Sequence, residues 1–471
     1  MKMDHEFKEG SKVLVEKLGE GLVPRVITHN DADGITAGSI AHASILREGY
    51  SLQTRVVKQL KDDIIAGLGK EEPPLVIFTD MGSGQLQEIK EHMLDKTFVI
   101  VLDHHEPAQV EHENLIHFSP HLNDIDGARE ISGSGMSYFF FRALNGKNID
   151  LAALAIVGAV GDIQDVDGKL TGPNTEILKD GEKAGVLKAE KDLRIFGRQT
   201  RPLYKALEYT TEPFVPGISG SESACIQFLK DLDIPVKKNG DFTMLADLDS
   251  DERQRLSTAL IMKMIEHKIP PNIAERIVGE VYTLVREEKR TPLRDAKEFA
   301  TILNASGKNK NQSIGMALCL GERKMFYERA MGLLKEHKTY LSSCYDWVSK
   351  NVDRIKEMDA LYYFHVQDEI DENVLGTVAS MVLNSRILAS VKPIIAFVRT
   401  EDGDIKISSR GTKELIERGL NLGIAMNYAA EKTGGKGGGH DIASGAKIEI
   451  GQEEEFLKYA NEIIGEQLED E

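Results

Sequence analysis

The stretch VPRVITHNDADGITAG, residues 23–38, decides how the first half of the chain is read. An apolar run from Val23 to Thr28 ends in His29, Asp31 and Asp33, three metal-type side chains at alternate positions, and a helical pattern follows from about Gly34 to Arg47. Alternate residues of a strand point to opposite faces, but at a strand end the chain turns and such side chains can converge. Gly34 suits a tight turn and lets a ligand approach the backbone.

Outward from this stretch the same rhythm repeats. Strand-like runs at Gln53–Val57, Leu75–Thr79 and Phe98–Leu102 are separated by helical patterns at Asp62–Leu68 and Leu86–Met93. Short apolar strands alternating with helices predict an α/β fold with a parallel sheet covered on both faces, and ligand sites beyond the carboxyl ends of the strands. Polar residues gather at those ends. Asp80 follows LVIFT, Asp103, His104 and His105 follow FVIVL, and an apolar helix across Ile149–Val160 runs into Gly161 and Asp162.

Singly, each has a bland reading: DADG as a helix cap, Asp80 as a cap for the next helix, the paired histidines as a polar strand end. An acid at a helix C-terminus, as at Asp162, is electrostatically disfavoured and needs a reason. Four segments that each finish on metal-type ligands point to one shared site. Four carboxylates and two imidazoles without a thiolate favour manganese or magnesium over zinc. The set is too large for one ion, whereas two ions sharing a carboxylate use it fully. Such pairs clamp an in-line displacement at phosphorus.

From 191 to 300 charge rises and helical patterning dominates, which reads as a mostly helical insertion. A helical connector over 301–358 contains a long helix, Glu322 to Lys356. The α/β rhythm resumes over 359–471, with strands at Ala360–Val366, Pro393–Val398 and Ile405–Ser408, helices near Asn373–Asn384 and Asn421–Glu431, and a terminal acidic helix from Gln452. Residues 434–439 are five glycines and Lys436, read as a turn whose amides form an anion-binding nest, with His440 directly after it. Arg410, beside Ser408 and Ser409, suits bidentate contact with phosphate. Residues 405–440 carry six Lys or Arg against three Asp or Glu, the basic surface an anionic substrate needs.

Composition sets the outer limits. A chain of 471 residues implies two or three domains, and 41% apolar with 28% charged residues is globular. Its net charge of −18 would repel nucleic acid, unless metal and a local basic surface offset it. Three scattered cysteines with no CxxC pair argue against a disulfide framework and fit a reducing cytoplasm. No apolar signal core opens the chain and no apolar run reaches about 18 residues, so no membrane partner is expected. Cytoplasmic localisation follows as an expectation.

In combination, HxDxDG, a lone strand-end Asp, DHH and a GD after an apolar helix resemble the DHH phosphoesterase superfamily. SSR at 408–410 and GGKGGGHDIASG at 434–445 resemble its DHHA1-type substrate domain. The resemblance covers roughly 20–195 and 300–450. Within the superfamily, THNDADGITAG, SGSGMSYF and AIVGAVGDIQD look most like the archaeal RecJ-type nucleases. Those proteins associate with the GINS replication complex and are related to the helicase-associated DHH subunit of the eukaryotic replicative helicase.

The resemblance implies a DHH catalytic domain over 1–190 and a DHHA1-type domain over 359–471, with the insertion as a docking surface for a GINS subunit. It implies two manganese ions, or magnesium in their place. His29 and Asp31 would hold the first ion and Asp33, His104 and Asp162 the second, with Asp80 as bridge. Asp103 would orient the histidine pair, and His105 would face the scissile phosphate. Ser408, Ser409, Arg410, Gly437, Gly438, Gly439 and His440 would grip substrate. The implied activity is a 5′→3′ exonuclease on single-stranded DNA, with RNA as a second substrate. Two alternatives stand beside it: a phosphatase for very short oligonucleotides or nucleotide bisphosphates, and a helicase-associated scaffold with little nuclease activity. Ser119-Pro120 departs from the Asn-Pro pair that relatives often show, which alters one wall of the site; no metal ligand is missing.

Overall fold

Strands β1 (Pro24–His29), β2 (Gln53–Val57), β3 (Leu75–Thr79), β4 (Phe98–Leu102) and β5 (Leu115–Phe118) form a sheet in the order β2-β1-β3-β4-β5. Every pairing in it is parallel, with Val26 beside Ile77, Ile77 beside Ile100 and Ile100 beside Ile116. The computed structural model describes residues 3–165, 168–308, 311–367, 369–383, 388, 391–400 and 402–469. The chain divides into two compact units, 1–334 and 335–471.

Strand residues alternate between two cores, which is why the runs are apolar throughout. Val26, Leu75, Ile77, Ile100 and Leu102 pack with helices α1 (Asp4–Gly19), α2 (Ala32–Arg47), α3 (Gly133–Leu144) and α4 (Ala152–Gly161) on one face. Ile27, Val76, Phe78, Val99 and Val101 pack on the other face, against the helices Asp62–Lys70 and Leu86–His92. Phe139, Phe140 and Phe141 of α3 are fully buried, each worth roughly 1.5–3 kcal/mol of burial.

Two details refine the expectations within this unit. Residues 278–284, inside the stretch read as mostly helical, form the strand Val278–Leu284, antiparallel to Leu187–Leu193. The alternation in VGEVYTL supplies the physical reason, and the insertion hangs from this two-stranded root. The apolar helix is also shorter than its sequence pattern: Gly146–Leu151 is 3-10, and the α-helix begins at Ala152. Between the two root strands lie helices Leu203–Glu208, Glu222–Asp231 and Ser250–Glu266.

In the second unit, Tyr362–His365 pairs parallel with Ile394–Arg399, and Ile405–Arg410 and Ala443–Ile448 follow in antiparallel order. A helix spans Leu375–Leu383, and Asn384 lies outside the described residues. The long helix spans Met325–Lys350, shorter at both ends than its pattern suggests. Cys225 and Cys344 are buried and Cys319 is half-buried, all as free thiols. Among the described residues no helix is long and apolar enough to cross a membrane.

Candidate metal centre

The helix after β1 packs on one face of the sheet and the helix after β3 on the other. Where connections diverge in this way a crevice opens at the carboxyl ends of the strands. His29 is the last residue of β1, Asp80 follows β3, and Asp103, His104 and His105 follow β4. Asp162 caps the C-terminal end of α4.

Asp31 does two things at once. As N-cap of α2 its Oδ1 accepts the Gly34 N–H at 2.9 Å, while Oδ2 lies 2.9 Å from His29 Nδ1. Asp33 is buried in the first turn of α2 and accepts the N–H groups of Gly133 (2.6 Å) and Ser134 (3.0 Å). Those are the first amides of α3, so the SGSG motif sets a positive helix end against a buried acid. A Cβ on Gly133 would lie 2.6 Å from Asp80 Oδ1, which is why this position is glycine.

Asp80 sits at the centre, buried, with a left-handed φ of 58°. Its Oδ2 is 3.6 Å from His29 Nδ1 and its Oδ1 is 3.2 Å from His104 Nε2. Oδ1 is buried without a hydrogen-bond partner among the described residues. His104 Nε2 lies 3.9 Å from Asp33 Oδ2, and Asp162 Oδ2 lies 3.8 Å from His104 Nδ1. The ligand atoms thus fall into two groups, His29–Asp31–Asp80 and Asp33–His104–Asp162, each within 4.8 Å. Asp103 also lies within reach of Asp80, His104 and His105. Its oxygens, however, are already engaged by the N–H groups of Ser83 (2.9 Å) and His104 (2.8 Å) and by His105 Nδ1 (2.7 Å). Through these bonds it braces the histidine pair.

The protonation pattern is that of an over-acidic pocket. Burial, with Asp80 adding repulsion, holds the Asp33 carboxyl well above the ordinary range. Burial pushes Asp162 up to about 6 against the pull of His104. Burial would also raise Asp80, but the His104 and His29 rings beside it hold it well below the usual carboxylate range. Burial works against a charged ring at His29 and His104; Asp31 and Asp80 outweigh it at the first, and Asp80, Asp162 and Asp33 at the second, so both lie well above the ordinary histidine value. Asp103 is held down to about 2, where burial loses to His105. The pocket stores protons where cations would sit. An oxygen-rich donor set, a buried carboxylate oxygen lacking a hydrogen bond and the absence of thiolate all fit two hard divalent cations.

Ser408, Ser409, Arg410, Gly437, Gly438, Gly439 and His440 lie together in the second unit. Arg410 Nη1 donates to the Ser409 carbonyl (2.7 Å) and Nε to Ser380 Oγ (3.1 Å). Among the described residues no carboxylate pairs with it, and burial lowers its pKa. Ser409 donates its hydroxyl to the Ser444 carbonyl at 3.1 Å. The glycine run is not a turn: Lys436–Gly439 is a strand at the sheet edge, paired with Ala443–Ile448. Amides of an extended strand alternate in direction, so the run does not form a nest. His440 is exposed and donates its backbone N–H to the Ala443 carbonyl at 3.0 Å.

Sequence reasoning missed the groups behind the ligands. Gln164 Nε2 donates to Asp162 Oδ2 (3.0 Å) and to the Gly127 carbonyl (2.9 Å), and Asn174 holds its Oε1 (2.8 Å). Gln164 stands two residues after Asp162, but nothing local marks its distant partners.

Three family models match the chain: the DHH family, N-terminal domain, over 25–159, the DHH-CID domain over 195–278 and the DHHA1 domain over 358–466. An uncharacterized protein of Methanocaldococcus jannaschii is 35% identical over 98% of each chain. The chain belongs to the DHH superfamily. Among solved structures, this DHH protein is similar to RecJ of Thermus thermophilus in complex with Mn2+, with a TM-score of 0.60 and 16% identity. That match covers 98% of this chain and 55% of RecJ, so the chain spans about half of that protein. An exonuclease RecJ bound to manganese gives a TM-score of 0.56 at 16% identity, covering 98% of this chain and 94% of that one. CDC45 from Entamoeba histolytica gives 0.63 at 13% identity, covering 98% and 99%. At these identities the likeness is one of fold: a RecJ-like and CDC45-like α/β architecture with a helical insertion.

Proposed function

We propose that this DHH protein is a two-metal phosphodiesterase that shortens single-stranded nucleic acid from an end. The observation that carries the reading is that His29, Asp31 and Asp80 form one ligand group and Asp33, His104 and Asp162 another, with Asp80 3.2 Å from His104 Nε2. His29 and Asp31 would hold one ion, Asp33, His104 and Asp162 the other, and Asp80 would serve both. Bound manganese, or magnesium, would supply Lewis acidity and lower the pKa of a water nucleophile. Asp103 holds His105 through Nδ1. That leaves Nε2 of the exposed ring to protonate the leaving oxygen or to stabilise its charge. Arg410, half-buried and with no carboxylate partner among the described residues, would take a substrate phosphate, with Ser408 and Ser409 framing it and His440 and the edge strand of Gly437, Gly438 and Gly439 beside it.

In this reading residues 1–190 are catalytic, 191–300 dock a protein partner, 301–358 connect, and 359–471 hold substrate. The RecJ-type motifs favour DNA, with RNA as a second substrate, 5′→3′ polarity, and a GINS subunit on the insertion or a nearby surface. A scaffold reading has its own support in the CDC45 likeness, which covers 99% of that chain. The complete ligand set favours the enzyme.

Incubation of an end-labelled single strand with manganese tests this. The wild type should shorten the strand, and Asp80→Ala should not. An inert wild type that binds GINS establishes the scaffold, and faster turnover of dinucleotides than of long strands establishes the short-oligonucleotide phosphatase. Equal degradation by Asp80→Ala refutes the site.

A further inference from the structure

We infer that the helix Ala296–Lys308 positions the metal-ligand loop through two residues, Asn304 and Gly307. The inference rests on the two-metal reading and adds to it the groups that hold the loop in place.

The first amides of any helix lack partners within it. In α2, the Gly34 N–H goes to Asp31 Oδ1 and the Ile35 N–H to the Asp31 carbonyl, both at 2.9 Å. The Ala32 N–H goes elsewhere, to Asn304 Oδ1 at 2.9 Å. Ala32 lies between Asp31 and Asp33, one from each ligand group. On the other side of the loop, Asn30 Nδ2 donates to the Gly307 carbonyl at 3.3 Å. Asn304 and Gly307 are three residues apart and so share one face of their helix. A Cβ on Gly307 would lie 1.6 Å from the Asn30 carbonyl oxygen, so helix backbone rests directly on loop backbone. No other residue type fits there without moving the loop.

The start of this helix is not free either. Asp295 accepts the N–H groups of Lys297 and Glu298, both at 3.0 Å, and its Oδ2 lies 3.7 Å from Arg198 Nε. Glu298 accepts the Gln199 N–H at 2.8 Å and the Thr200 hydroxyl. One helix of 13 residues, about 20 Å long, is thus clamped to the start of the insertion at one end and to the ligand loop at the other. Asn304 and Gly307 touch backbone and not the ligand carboxylates, so they are positioning residues.

Mn2+ titration calorimetry on the full chain tests the assignment. Asn304→Leu keeps the shape and removes the acceptor, whereas Asn304→Asp keeps an acceptor. Asn304→Leu should weaken Mn2+ binding about tenfold or more, with its circular dichroism unchanged, and Asn304→Asp should retain the wild-type affinity. Wild-type affinity in Asn304→Leu, or equal losses in both variants, overturns the inference. Should Asn304→Leu fail to fold, Gly307→Ala carries the test, and unchanged Mn2+ affinity there overturns it equally. Asp80→Ala in the same titration separates the two readings: if it keeps both ions the two-metal site itself is wrong, and if it alone loses them only the positioning role fails.

Discussion

His104 donates its Nδ1 proton to the Gly127 carbonyl oxygen at 2.7 Å, and Nε2 of the same ring lies 3.2 Å from Asp80 Oδ1. A carbonyl can only accept, so this bond fixes Nδ1–H, and it is Nε2 that presents a lone pair among the acids once the ring gives up its second proton. Gln164 bonds the same carbonyl at 2.9 Å and also reaches Asp162. One backbone oxygen therefore orders an imidazole and, through Gln164, a carboxylate of the same ligand group. A buried histidine held this way resists rotation when its protonation changes.

Metal binding should release protons and tighten as pH rises. Asp33, His29 and His104 all lie well above their ordinary values, and Asp162 reaches about 6. Each must lose its proton to become a ligand. Mn2+ calorimetry at about pH 7.5, in two buffers of different ionisation enthalpy, should give different apparent heats, with weaker binding near pH 6. Identical heats and pH-independent affinity would contradict the protonation pattern.

Asp33→Asn should bind one Mn2+ where two are expected for the wild type. Asparagine keeps one acceptor for the Gly133 and Ser134 amides but turns an NH2 toward the other, and it loses the negative charge. Strand cleavage should fall at least about tenfold. The manganese-induced rise in melting temperature should shrink with it, because stabilisation follows ligand affinity. Elemental analysis of the loaded protein checks the stoichiometry, and two ions retained would remove Asp33 from the ligand set.

Arg410→Met should weaken strand binding while leaving the metals in place. The guanidinium is half-buried, with two neutral hydrogen-bond partners and no carboxylate among the described residues. A partly desolvated guanidinium with only neutral partners has donors to spare for an anion. Loss of a charged hydrogen bond to phosphate, about 1.5–3 kcal/mol, corresponds to a roughly ten- to hundredfold weaker Kd. Fluorescence anisotropy in the Asp80→Ala background reads this without cleavage. A lowered melting temperature with unchanged strand affinity would make Arg410 structural.

The fold of the first unit was legible because its information is local. Each apolar strand is bounded by an amphipathic helix, and the polar residues stand where strands stop. The rest is written in partners far along the chain. Val278–Leu284 finds its mate in Leu187–Leu193, on the other side of the insertion. The glycine run has no strand propensity of its own, and its strand character comes from pairing with Ala443–Ile448. β5 escaped notice because LIHF is short and carries His117, whose Nε2 meets Ser83 Oγ at 2.9 Å. Within the site the pattern named side chains that would meet. The groups that hold them, the Gly127 carbonyl, Gln164 and Asn304, are backbone or distant, and no spacing rule reaches them.

Glu298→Gln should stabilise the protein at high pH and not at low pH. Burial, then the neighbouring Asp295, pushes the Glu298 carboxyl up to about 7 from an ordinary 4.5. A folded value above the unfolded one means the native state holds the proton more tightly. That contribution is fully present below about 4.5 and is lost as pH rises through about 7, with a span on the order of 3 kcal/mol. Glutamine imitates the protonated acid: its oxygen can accept the Gln199 N–H and its NH2 can donate to Thr200 Oγ. Thermal unfolding of the metal-free protein should show the variant melting several degrees above wild type near pH 8 and level with it near pH 5. Destabilisation at both pH values would mean that Glu298 works as a carboxylate, and that its charge holds the insertion to the helix.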